Sequence, residues 1–362
     1  GTYTVVMTAT TAEGCIDTAS AVIQVDSLDA SFDLGRSPAC VLETVYFTDT
    51  STISSTEPIT YYWSFGDGSH SALTDPTHVY THAGTYQVTL AISSTGGCLE
   101  TASRPVVIQD VQAYFTATPN PACVLADVSF SNLSVVSATG SVTYEWNLGD
   151  GTIVTALNPT HQYSTAGEYT VVLTATTDAG CIDTYSGIVS IEQAAADFDA
   201  VPNPVCLGET THFTDTSVVT GTVVSYLWNF GDGNGASGPT ATHTYLLAGN
   251  YTVQLQVTTE GGCVSTHQES VFVEEVAADF TIDPNPVCVL EDVSFTNASA
   301  VIAAEGVTYL WAFGDGATST ITNPVHAYTA AGDYTVALTV TTIGGGCADT
   351  WSDVVHVQDV RA

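Results

Sequence analysis

An internal repeat limits what this chain can fold into more tightly than any other feature. The string YYWSFGDG occupies 61–68, and YEWNLGDG (144–151), YLWNFGDG (226–233) and YLWAFGDG (309–316) follow it. Their tryptophans, Trp63, Trp146, Trp228 and Trp311, keep a period that holds constant to within one position. Copies at a fixed period are copies of one structural unit, whatever the overall length suggests about domain number.

Other landmarks keep the same phase. Each unit opens with an aromatic residue (Phe32, Phe115, Phe198, Phe280), followed by a Pro-rich turn carrying a cysteine, as in PNPAC (119–123) and PNPVC (202–206, 284–288). A Pro-to-His-to-Tyr segment comes next, then an A-G-x-Y turn into a strand such as AGEYTVVLTA, then a Gly-Cys turn and a last Val- or Ile-rich strand. The expected units are 29–111, 112–194, 195–276 and 277–362. Residues 1–25 match 167–191 almost position for position, so 1–28 is expected to be the C-terminal part of a truncated unit. VQDVRA at the far end lines up with IQDVQA (108–113), so both ends are expected to be cuts through a longer array.

Within a unit the periodicity is that of strands. Tyr169, Val171, Leu173 and Ala175 alternate with Thr170, Val172, Thr174 and Thr176, and Tyr144, Trp146 and Leu148 alternate with Glu145 and Asn147. Alternation of this kind buries one face of a strand. The tryptophans and Tyr86, Tyr169, Tyr251 and Tyr334 are therefore expected in the core. Threonine, a β-former, is abundant throughout, and no segment holds a helical period. Short strands separated by Gly, Pro and Asp turns predict an all-β chain of tandem immunoglobulin-like β-sandwich repeats in a linear array. The Gly66-Asp67-Gly68 step and its counterparts fit turns that need positive φ. No Gly/Ser or Pro-rich spacer separates the units, which predicts a semi-rigid string.

The nine cysteines follow the repeat. Each full unit has one early and one late: Cys40 and Cys98, Cys123 and Cys181, Cys206 and Cys263, Cys288 and Cys347. Pairing within each unit is the expectation, with Cys15 bonded to a residue beyond the sequence. Each bond would close a loop of nearly sixty residues and contribute roughly 4 kcal/mol on the chain-entropy model. Two separate cysteines with no C-x-x-C step make a poor zinc site. Disulfides imply an oxidising compartment, hence an extracellular or cell-surface protein.

Charge excludes some partners. Arg36, Arg104 and Arg361 are the only basic residues besides histidine, there is no lysine, and the formal net charge is −35. A nucleic-acid or anionic-membrane surface cannot be built from that set. No apolar run approaches the length of a membrane-spanning helix.

The W-x-F-G-D-G core, the P-T-H-x-Y segment and the A-G-x-Y-x-V strand together resemble the PKD (polycystic kidney disease) repeat family across the whole chain. The second unit departs with Leu148 for Phe, and the third lengthens the segment before His243. The resemblance implies a small immunoglobulin-like sandwich, used in spacers, adhesion modules and non-catalytic appendages of secreted hydrolases. The Gly-Cys-x-Asp-Thr endings (14–18, 180–184) and the early cysteine resemble arrays in very large bacterial surface proteins.

Candidate sites are few. His78, His161, His243 and His326 recur one per unit and cannot converge on one centre, so a hydrogen bond beside the following Tyr is expected. Asp67, Asp150, Asp232 and Asp315 invite a calcium reading, but no D-x-D-x-D-G loop surrounds them, and turn stabilisation is the expected role with calcium as the alternative. No other cofactor or metal is implied. Trp351 stands outside the pattern as a candidate surface contact. Asn132, Asn250 and Asn297 begin N-glycosylation sequons, and Thr18 and Ser27 fit an O-glycan acceptor pattern. No nucleophilic or phosphate-binding motif is present.

The expected function is a non-catalytic extracellular rod, adhesin stalk or filament segment. Its partners are neighbouring repeats of the same chain and other copies in a fibre. The alternatives are a glycan- or cell-binding module, with the variable segments 133–143 and 298–307 as the places to look, and an accessory region of a secreted hydrolase.

Overall fold

The computed structural model describes residues 1–54, 58–137 and 140–359; Arg361 lies outside them. Every regular element among these residues is a β-strand. The chain gathers into two compact units, one built from 1–120, 127–162 and 168–189, the other from 121–126, 163–167 and 190 onward.

In the first unit, the repeat beginning at Phe32 shows the pattern. Phe32–Leu34, Thr44–Asp49 and Thr77–Val79 form a three-stranded antiparallel sheet. The facing sheet runs from Leu99–Gln112 through Gly84–Ser94 and Ile59–Ser64 to His70–Ser71, with Ala39–Cys40 added parallel to Leu99–Gln112. Two sheets face to face bury the inward half of each alternating strand. Phe32, Phe47, Trp63, Leu90, Ile92 and Val106 fill the space between them. The unit also holds most of a second such repeat, with Phe115, Phe130 and Trp146 in its core, and a hairpin, Thr2–Thr10 paired with Ile16–Gln24, that is exposed along its whole length.

The second unit repeats the plan twice. Its cores centre on Phe198, Phe213 and Trp228, and on Phe280, Phe295 and Trp311. The predicted alternation holds: Val171, Leu173 and Ala175 are buried, as are Trp146 and Leu148, whereas Glu145 and Asn147 are exposed. Each of the four motif tryptophans is held by its ring nitrogen as well as by packing. Trp63 Nε1 donates to the Leu73 carbonyl at 2.9 Å, and Trp311 Nε1 to the Ile321 carbonyl at 2.9 Å.

One part of the expected core shifts. Tyr86, Tyr251 and Tyr334 are half-buried, with hydroxyls that donate to His82, Leu247 and Ala330 carbonyls. They stack on deeper tyrosines, Tyr80, Tyr245 and Tyr328, which are fully enclosed. Those deeper hydroxyls donate to the carbonyls of Phe65, Phe230 and Phe313, and burial pushes their pKa values far above the ordinary tyrosine range.

Candidate functional site

The most elaborate constructions in the molecule are the junctions between consecutive repeats. The last strand of a repeat does not stop at the expected boundary. Leu99–Gln112 runs 14 residues, and its end pairs with Val135–Ser137 of the next repeat, Asp110 opposite Ser137 and Gln112 opposite Val135. Ile182–Ala195 and Val264–Ala277, also 14 residues each, pair in the same way with Val218–Thr220 and Ala300–Ile302. The absence of a spacer in the sequence is therefore a continuous strand in the structure. Segments 133–143 and 298–307, singled out as variable loops, contain these junction strands; residues 138 and 139 lie outside the described residues.

The early cysteine sits at this same end of its repeat. The Pro-rich turn places it there: Asn203 Nδ2 donates to the Ser270 carbonyl at 2.8 Å while its Oδ1 accepts from Phe272 N–H, and Asn285 grips Val354 and His356 alike. Cys40 then lies beside Gln109, Cys123 beside Glu192 and Cys206 beside Glu274. The late cysteine sits at the far end, in the turn of the long hairpin, where Ser94 N–H donates to the Cys98 carbonyl.

The expected pairing within each repeat is therefore wrong. Cys98 is eleven positions along the strand from Gln109. At about 3.3 Å per residue this puts Cys98 roughly 35 Å from Cys40, far beyond the roughly 4.4–6.8 Å between Cα atoms typical of a disulfide. Instead the hairpin turn of the following repeat reaches back to the junction. Cys40 is bonded to Cys181, Cys123 to Cys263 and Cys206 to Cys347, with Cα–Cα distances of 5.5, 5.4 and 5.5 Å. Cys15, Cys98 and Cys288 are not disulfide-bonded.

A buried polar side chain anchors each turn. Gln109 donates from Nε2 to Asp178 Oδ1 at 2.8 Å, and Arg36 donates to the Ala179 carbonyl. Glu192 accepts from Gly261 N–H at 2.8 Å. Glu274, with no exposed surface, accepts from Ala304 N–H at 3.0 Å, Gly345 N–H at 2.9 Å and the Thr342 hydroxyl at 2.5 Å. A carboxylate can be buried when its lone pairs are filled in this way.

The repeated aspartates and histidines come together pairwise. His78 Nε2 lies 2.7 Å from Asp67 Oδ2, and the pairs 161–150, 243–232 and 326–315 repeat this at 2.6, 2.7 and 2.7 Å. The other carboxylate oxygen closes the turn, Asp67 Oδ1 accepting from Ser69 N–H and Asp315 Oδ1 from Ala317 N–H. Asp67 thus acts through its side chain, and the positive φ of this turn falls on Gly66 and Gly68. Burial works to raise the Asp67 pKa, but the hydrogen bonds from Ser69 and His78 outweigh it and hold it at about 2. Asp150, Asp232 and Asp315 are lowered by the same balance.

In three repeats the imidazole stacks on the motif phenylalanine, at 4.3 Å for Phe65, Phe230 and Phe313, and meets the deep tyrosine edge-on. Leu148 takes the phenylalanine position in the second repeat, fully buried. In the sequence the aspartates and histidines look like separate features. Their constant separation along the chain, the same in all four repeats, is the signal that links them. The third repeat moves its proline without lengthening the path to His243.

Ser69 Oγ lies 3.1 Å from His78 Nε2, the same nitrogen that meets Asp67. A Ser-His-Asp relay needs the two partners on opposite ring nitrogens. The other repeats carry Thr152, Asn234 and Ala317 at the serine position, so the arrangement is a turn clasp. Among the described residues, no group of three or more His, Cys, Asp or Glu is arranged to hold a metal ion.

Trp351 is half exposed on the last strand, beside a shallow hollow lined by Ala278, Asp279, Ala298 and Ala300. Thr18 and Ser27 are exposed. The Asn132 amide nitrogen is buried, which withdraws that sequon from modification in the folded chain.

The fold and repeated turn define tandem immunoglobulin-like modules. A PKD-domain family model matches residues 32–108, 113–191, 194–273 and 276–357, and the chain belongs to the PKD domain family. It is 32% identical over 140 residues to the pre-pro-metalloprotease PrtV of Vibrio cholerae, a match spanning 38% of this chain and 15% of that protein. It is 24% identical over 307 residues to human polycystin-1, spanning 79% of this chain and 7% of that protein. The crystal structure of the PKD1 domain of Vibrio cholerae PrtV covers 22% of this chain and 95% of that domain, at 34% identity and a TM-score of 0.20. The chain thus corresponds to a small part of each of these full-length relatives.

Proposed function

We propose that this chain is a non-catalytic extracellular structural segment, a rod or stalk of PKD repeats that carries mechanical load between whatever lies at its ends. The observation that supports this most is the junction, where consecutive repeats share a strand and a disulfide with no linker between them. A flexible tether would need a solvated spacer, and a transient interface between domains would not be covalent. The disulfides also favour an oxidising, extracellular location.

The metalloprotease relative supports a second reading, an accessory region of a secreted hydrolase. Electron microscopy of native, full-length material separates the two. Thin beaded strings or ordered fibres on the cell surface fit the stalk reading. A compact secreted enzyme with a short appendage contradicts it.

A further inference from the structure

We infer that the disulfides form a covalent short-cut along the array, so that the oxidised chain cannot lengthen by unfolding its repeats. The inference rests on the tension-bearing role proposed above and gives it a mechanism.

A pull on the two ends follows the shortest covalent path. Entering from the N-terminal side, it reaches Cys40, crosses to Cys181, follows the chain to Cys206 and crosses to Cys347. Residues 41–180 and 207–346 are bypassed, and with them all four motif tryptophans. The stretch carrying load between the two crossings is 182–206. Strands of 14, 4 and 2 residues (Ile182–Ala195, Phe198–Val201, Val205–Cys206) make up most of it. A strand rises about 3.3 Å per residue, close to the limit of a stretched chain, so each of these strands has little length to give.

A second path interleaves with the first. Cys123–Cys263 leads to Cys288 across a stretch of equal length, 264–288, with strands of the same three lengths. The same spacing separates Cys15 from Cys40 and Cys98 from Cys123. The two paths share no disulfide, so every residue from 41 to 346 lies inside at least one closed loop.

Stretching single chains between handles at residues 1 and 362 tests this, with and without a thiol reductant. Contour length is the readout, because it does not depend on whether a repeat folds. The oxidised path holds on the order of 80 residues and should reach about 280 Å, against about 1,250 Å for the reduced chain, a more than fourfold difference. Cys123→Ser with Cys263→Ser should leave the oxidised length unchanged, since the first path remains. Cys40→Ser with Cys181→Ser should lengthen it a little over twofold, because the path must then detour through residues 41–123 and back from Cys263 to Cys206. An oxidised chain that reaches the reduced length, or a Cys123/Cys263 variant that lengthens, overturns the inference. Either result concerns the purified chain and leaves the surface-stalk reading to the microscopy.

Discussion

Cys40 and Cys98 belong to the same repeat and lie at opposite ends of its last strand, while Cys40 is bonded to Cys181 of the next repeat. The pairing follows from where each side chain falls in the sandwich. An early cysteine is carried to the exit end by a Pro-rich turn, and a late one is left at the tip of a hairpin that points back toward the entry end. Only a neighbour can complete either bond. The repeats fold as sandwiches by burying their own tryptophans, and the crosslinks then tie each sandwich to the next.

The first glycine of the F-G-D-G turn is fixed by more than its φ. A Cβ on Gly231 would meet the Thr252 backbone at 2.6 Å, whereas one on Gly233 would meet nothing within 4 Å; both have positive φ. Gly233→Ala should cost about 1–2 kcal/mol, the usual penalty for an L-residue in the left-handed region. Gly231→Ala should cost clearly more, because backbone must also move. Hydrogen exchange in the Val223–Asn229 strand is the measurement, and equal protection in the two variants would contradict the account.

Acid should loosen the Asp67 clasp late. Its folded pKa of about 2 lies below the ordinary 3.8, so its contribution is complete above pH 4 and is lost as pH falls toward 2. The contribution is at most about 2 kcal/mol. Asp67→Asn should lower stability at pH 5 and flatten the dependence of melting temperature on pH between 4 and 2 relative to the parent chain. A variant with the same acid profile as the parent would show that the carboxylate is not held as described.

Glu274 should behave as a keystone of the third junction. Glu274→Ala leaves the buried Thr342 hydroxyl without its acceptor, and with it the part-buried Ala304 N–H and Gly345 N–H, at about 1–3 kcal/mol for the buried group and less for the two that water can reach. The loss should appear as faster hydrogen exchange at 303–305 and 342–347, with the Trp311 core unchanged. Uniform loosening of the whole repeat would instead make Glu274 part of the core.

Much of the fold is legible in the sequence because it is local. Alternation around Trp146 and Leu173 names the buried face directly, and fixed-phase glycines name the turns. The junction is not legible, because it depends on which end of a sandwich each residue reaches. Cys40 and Cys98 look like a pair when counted along the chain, and only the parallel seat of Cys40 beside Gln109 shows that they are not. Tyr86 masks the more deeply buried Tyr80 because it sits in a clean alternating strand, whereas Tyr80 lies just past a short one, Thr77–Val79. The Asp67–His78 clasp has a readable signal in its constant spacing. That signal carries meaning only once the Asp67 turn and the Thr77–Val79 strand are known to lie side by side.

The central claim, that disulfides join successive repeats, is tested most directly by mapping them. The chain should be denatured with free thiols blocked and cleaved without reduction by chymotrypsin, since it has only three arginines and no lysine for trypsin. Mass spectrometry should then find linked peptides carrying Cys40 with Cys181, Cys123 with Cys263 and Cys206 with Cys347. Peptides linking Cys40 with Cys98, or Cys123 with Cys181, would contradict it.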